Sequence, residues 1–152
     1  MIRVPKRLMR LIFGGIAAAL LLLLFFFLIC PLANDGAARR NLRKVEALPL
    51  PEGAEKLESY SASGHLLGRG NGMQYLGLIL LRSAQREEEL KLYYAALSKT
   101  GEQYNVAAQT GRELAILPGR KHHFKTDISG GDCYIVYLWG GRNGIFEALD
   151  PR

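Results

Sequence analysis

The chain has 152 residues, 49% of them hydrophobic, and a formal net charge of +6. That length leaves room for one modest domain. The charge is uneven. Arg3, Lys6, Arg7 and Arg10 make the first ten residues basic, and Arg39, Arg40, Arg43 and Lys44 follow Asp35 further on. Of the chain's 20 basic and 14 acidic residues, 12 and 13 remain from Val45 onward. The basic character therefore flanks one apolar stretch. It reads as a topology signal and as contact with anionic lipid head groups near Arg39, Arg40, Arg43 and Lys44. No basic–aromatic stripe marks a nucleic-acid interface.

Residues 1–10 form a short tail whose start Pro5 keeps irregular. Residues 11–30, from Leu11 to Cys30, read LIFGGIAAALLLLLFFFLIC and hold no charged or hydrogen-bonding polar side chain, apart from the terminal cysteine. As a helix the stretch is about 30 Å long, the thickness of a bilayer's hydrocarbon core. A helix apolar all round has no face for water, and so short a chain cannot wrap it. Membrane lipid is the expected partner of this stretch. Gly14, Gly15, Ala17, Ala18 and Ala19 form a small-residue patch of the kind that lets membrane helices approach one another. Three alternatives to a permanent lipid-facing anchor exist, one of them a helix buried in a complex with other membrane proteins. A cleaved signal peptide has a shorter apolar region, although Gly36, Ala37 and Ala38 resemble a cleavage site. A lipidated Cys30 would follow a small residue, and here it follows Ile29. The basic tail favours a cytoplasmic N-terminus and an extracytoplasmic domain.

Pro31 suits a helix end. Residues 31–48 read as a polar, charged juxtamembrane stalk, either a helix extension or a separate short helix. Pro49, Pro51 and Gly53 then mark the start of a soluble domain over 49–152. Strands are expected at 56–63 and at 73–81, the second apolar on both faces and hence central. Residues 68–72 (GRGNG) make a turn between them. A helix follows from Ser83 or Ala84 to Lys99, with Glu87, Glu88 and Glu89 in its first turn and Leu90, Tyr93, Tyr94 and Leu97 on its apolar face. Further strands are expected near 104–109, more weakly at 113–117 and 123–128, and at 133–139 (CYIVYLW). Pro118 and Gly119 make a turn, Gly140 to Gly144 close the last strand, and Ile145 to Leu149 add an edge strand or coil. The whole is α+β: an N-terminal transmembrane helix, then a mostly antiparallel sheet with one packed helix.

Few residues suggest chemistry. The 68–72 loop looks like a phosphate cradle, but it leads into a strand, and a hairpin turn explains it better. His65, His122, His123, Asp127, Asp132 and Cys133 include metal-ligating and nucleophilic types, without a recognised ligand spacing. Adjacent histidines on a strand point to opposite faces, and Cys133 opens an apolar strand as a small buried hydrophobe would. Cys30 and Cys133 are poorly placed to pair, so no internal disulfide is expected. Glu87, Glu88 and Glu89 fit a solvated helical turn better than a cation site. Tyr93, Tyr94, Tyr134, Tyr137 and Trp139 line either a core or a sugar- or peptide-binding groove. No catalytic, cofactor or metal residue is assigned.

The order LPLPEG, GRGNGMQYLGLIL, a helix with LKLYYAAL, and CYIVYLWG resembles a family of small single-pass membrane proteins of Gram-positive, Clostridia-like bacteria. The resemblance covers roughly 49–149 and implies a bacterial surface location. No catalytic residue is established for that family. The function expected is a membrane-anchored, non-enzymatic extracytoplasmic domain that binds a protein partner at the cell envelope through a sheet face or edge. The alternatives are a small envelope hydrolase using Cys133 with His122 or His123, and an accessory subunit of a membrane complex recognised through the Gly14 to Ala19 patch.

Overall fold

The computed structural model describes residues 5–67, 72–99, 101–117 and 122–140. The elements run α1 (Lys6–Leu24), a π-helical turn (Phe25–Ile29), α2 (Cys30–Glu46), β1 (Glu55–Gly64), β2 (Gln74–Arg82), α3 (Glu87–Ala96), β3 (Tyr104–Ala108) and β4 (Cys133–Gly140). The four strands form one antiparallel sheet in the order β1-β2-β4-β3. The α+β architecture read from the sequence is the one present. The turn at 68–71, the turn at Pro118 and Gly119, and everything expected beyond Gly140 lie outside the described residues.

The first three elements are one continuous helix, Lys6–Glu46, long and apolar enough in its first half to cross a membrane. No residue of α1 is buried. Pro31 does not end the helix as expected. It has no N–H to give to the preceding turn, and a regular α-turn would press its ring on a carbonyl. The chain instead widens to a π-turn just before it, with the Cys30 N–H bonded back to the Phe25 carbonyl. One wide turn accommodates the proline and the helix continues.

Residues 31–48 are likewise not a free stalk. Cys30, Asn34, Ala37, Ala38, Asn41 and Val45 are buried, spaced three and four apart along one stripe of α2. That stripe lies on the sheet. The Tyr75 hydroxyl donates to Asn34 Oδ1 (2.9 Å), and Asn41 Nδ2 donates to the Tyr75 carbonyl (2.9 Å), both buried. At Asn41 and Leu42 the helix rests on Gly77. A Cβ there would lie 2.5 Å from the Asn41 carbonyl carbon and 2.6 Å from Leu42 Cα. On β1, Ser63 donates to Asp35 (2.6 Å) and Ser59 to Glu46 (2.6 Å). The β1 register shifts between Lys56 and Glu58, and Lys56 pairs with the same Glu46 (3.2 Å).

The sheet carries a core on each face. Alternation along β2 sends Ile79 and Leu81 to the helix side, where they meet Val45, Leu90, Tyr94, Val106, Val136 and Leu138. It sends Leu76, Leu78 and Leu80 to the other side, against Leu66, Leu114, Leu117, Phe124, Ile128, Cys133 and Ile135. β2 is central and buried on both faces, as its unbroken apolar run implied. The second face is covered by the β3–β4 connection, not by further strands. The segments expected as strands at 113–117 and 123–128 share one isolated bridge, Glu113 to His123. Their backbone is held mostly by side chains. Gln109 bonds Gly111, Glu113 and Ala115, Arg112 bonds the Phe124 carbonyl, and Glu58 of β1 accepts from the Thr126 N–H. The buried apolar residues of this layer, Leu114, Leu117, Phe124 and Ile128, cap the sheet.

Candidate functional site

Two aromatic residues of β4, Tyr137 and Trp139, point to the loop-covered face and leave an open groove. Leu67, Asn105 and Ile116 complete its lining, and its volume is about 400 Å³. The two rings meet edge to face, with centroids 6.5 Å apart. Partial burial raises the Tyr137 hydroxyl's pKa. Aromatic faces beside one amide make a surface for a ligand with an apolar body and a few hydrogen-bonding groups.

The five aromatics singled out in the sequence divide between the two faces. Tyr137 and Trp139 line the groove. Tyr134 and Tyr94 lie in the helix-side core, with Tyr93 packed against it. Burial pushes the Tyr94 phenol up to about 12, with Tyr93 adding to the effect. β4 separates Tyr134 from Tyr137 by an odd number of residues, so alternation sends them to opposite sides. Leu67, Asn105 and Ile116 come from three distant segments, and nothing in the sequence marks them as neighbours.

The titratable candidates are not brought to one place. His122 stacks on Tyr60, with ring centroids 3.6 Å apart and planes 20° from parallel, and meets Phe124 edge on. Burial lowers its pKa, partly opposed by Glu58. Its Nε2 is buried without a hydrogen-bond partner among the described residues. His123 and Asp127 are exposed. His65 Nδ1 lies 3.1 Å from the Gly72 carbonyl. Cys133 is buried as a free thiol. Burial raises its pKa, Asp132 adds to that, and Arg82 opposes it. The charges acting on the thiol are thus Asp132 and Arg82, and burial keeps it from ionising. Among the described residues no three of His, Cys, Asp and Glu gather as metal ligands would.

The glutamates of α3 are paired. Lys91 reaches Glu87 (2.8 Å) and Glu88 (2.9 Å), and Glu89 accepts from the Arg86 side chain (2.8 Å) and backbone N–H (3.0 Å). Those contacts close the helix start and offset most of the cluster's charge, two cations against three carboxylates. The polar residues that matter to the second face, Glu58 and Gln109, carry no motif in the sequence. Burial pushes the Glu58 carboxyl up, but hydrogen bonds from Thr126 and Lys125 outweigh it and hold its pKa below the ordinary value. The chain matches no protein-family model, no curated protein and no solved structure.

Proposed function

We propose that the chain is a membrane-anchored binding domain. Residues 11–30 of the long helix are its single-pass signal anchor, the N-terminus is cytoplasmic, and the domain is extracytoplasmic at a bacterial cell envelope. One observation carries the reading. The apolar half of the long helix has no buried residue, while the polar half is packed into the domain. Leu11 and Leu21 are 74% and 66% exposed, a state that water makes costly and lipid does not. The basic tail supports the orientation, and the resemblance to single-pass proteins of Gram-positive bacteria agrees with the location.

Binding without catalysis is the reading best supported by the groove at Tyr137 and Trp139 together with the buried, charge-opposed Cys133. In a hydrolase using Cys133 with His122 or His123, a histidine would have to act on the thiol. Unchanged activity on envelope extracts after Cys133→Ser in a folded chain would remove that alternative. Contact with anionic lipid falls unevenly on the basic cluster. Along the helix Arg39 and Arg40 stand about 13–15 Å beyond Cys30, within reach of a head-group layer by long side chains, while Arg43 and Lys44 stand about 20 Å away. Lys44 is also engaged by Glu102 at 2.6 Å.

The test is integration and sidedness. The full chain should resist carbonate extraction, and alkaline phosphatase fused after Arg152 should be active. Extraction by carbonate, or fluorescence of a cytoplasmic reporter at the same position, would overturn the anchor or its orientation.

A further inference from the structure

We infer that the end of the sheet formed by Gly64, Leu67 and Gln74 rests in the head-group layer of the bilayer that α1 crosses, so that Leu67 and Leu32 form a second contact with the lipid surface. The inference rests on the membrane reading above and adds the pose of the domain. α2 and β2 run in the same direction. Asn34 meets the Tyr75 side chain, Asn41 the Tyr75 backbone, and residues 41–42 lie on Gly77. The antiparallel β1 matches this, with Ser63 at Asp35 and Ser59 at Glu46. The strands therefore extend along the axis of the helix that enters the bilayer.

Heights follow from rise per residue. Cys30, the last residue of the apolar run and the first buried residue of α2, marks the hydrocarbon boundary. Gly77, level with residues 41–42, stands about 17 Å beyond it along the helix. Three residues back along β2, Gln74 stands roughly 7 Å beyond it. The Leu67 N–H donates to the Gln74 side chain at 3.0 Å, and His65 Nδ1 lies 3.1 Å from the Gly72 carbonyl. The Leu67 backbone is therefore held at the level of Gln74, inside a head-group layer about 5–8 Å deep, and Leu67 also borders the membrane end of the groove, whose Trp139 and Tyr137 pair with Leu76 and Leu78 further from the bilayer.

A second observation agrees. Beyond the apolar run, the exposed large aliphatics among the described residues are Leu32, Leu50, Leu67 and Leu92. Leu32 (58% exposed) sits two residues past Cys30, and Leu67 (54% exposed) is at the membrane end of the sheet. An aliphatic side chain there gains from leaving water for the acyl boundary, and a domain already tethered pays little further entropy to reach it.

The full-length chain is reconstituted in phosphatidylcholine–phosphatidylglycerol vesicles, with an environment-sensitive fluorophore on Leu67→Cys, Leu32→Cys or Glu52→Cys in turn. The unsubstituted chain, whose two thiols are buried, sets the labelling background. Lipids carrying a nitroxide on the head group should quench the labels at positions 67 and 32 by roughly twofold or more, and leave position 52, at the far end of the sheet, nearly unchanged. Equal responses at 67 and 52 in a chain that resists carbonate would overturn the pose and leave the anchor standing. A chain extracted by carbonate would overturn both.

Discussion

One helix passes through two environments, and its halves show what each demands of a sequence. From Leu11 onward α1 is apolar on every side, and no residue of α1 is buried in the protein. α2 is polar and charged over most of its surface, yet six of its residues are buried on the sheet. The buried stripe of α2 is built from Cys30, Asn34, Ala37, Ala38, Asn41 and Val45, which are small or amide side chains. Small side chains let the helix backbone approach Gly77, and the amides satisfy polar groups that this close approach would strand. Average hydropathy separates lipid from water well. It does not separate a solvated stalk from a helix packed through alanine and asparagine.

The largest effect expected from breaking that contrast is at glycine. Gly77→Val should destabilise the domain by about 3 kcal/mol or more, because the added carbons meet helix backbone that has no rotamer to yield. Gly14→Leu in α1, where an added Cβ meets nothing within 4 Å, should leave stability unchanged. Urea unfolding of the detergent-solubilised chain, followed by Trp139 fluorescence, compares the two. Similar midpoints would contradict the packing described.

Next in size is the buried amide pair. Asn41→Ala removes the donor to the Tyr75 carbonyl and opens a small void, at an expected cost of about 1–3 kcal/mol. The same unfolding measurement reads it, and a shift no larger than that of an exposed substitution would mean that α2 is not seated on β2.

Acid should loosen the loop-covered face before the helix-covered one. Burial depresses the pKa of His122, so the folded form disfavours its proton and stability falls as pH drops below the unfolded value of about 6.5. Glu58 is also depressed, held by Thr126 and Lys125. Its contribution is present above the unfolded carboxylate value of about 4.3 and is lost as pH falls through the lower folded value. The melting temperature is expected to decline from near pH ~6.5 downward, and His122→Gln should flatten the upper part of that decline. An unchanged profile in His122→Gln would remove the histidine from the account. The smallest effect belongs to the surface pair of Lys44 and Glu102. Lys44→Ala should cost no more than about 1 kcal/mol despite the 2.6 Å contact, because both groups face solvent.

The same contrast explains what was legible. β2 and β4 were legible because apolar β-formers run through them without interruption, and α3 because Leu90 and Tyr94 fall at helical spacing below an acidic first turn. The packing of α2 was not. Its stripe has the right period but carries Asn and Ala where hydropathy looks for Leu, and Pro31 gave a stop signal that one π-turn cancels. The 109–132 connection imitates strands in the sequence, and its Leu114, Leu117, Phe124 and Ile128 cover a sheet. Its real architecture depends on Gln109, Arg112 and Glu58, whose partners are set by the fold. Of the groove, Tyr137 and Trp139 were legible as aromatics on one strand, while Leu67, Asn105 and Ile116 become neighbours only once the sheet and its covering layer have formed.

The most direct test of the helix's double role is amide hydrogen exchange of the full-length chain in lipid nanodiscs. Amides of residues 37–45 in α2 are expected to exchange as slowly as those of residues 76–81 in β2, since both belong to the same core. Exchange across 37–45 at the rate of a solvent-exposed helix, with β2 still protected, would show that α2 stands free as a stalk and would contradict the fold described.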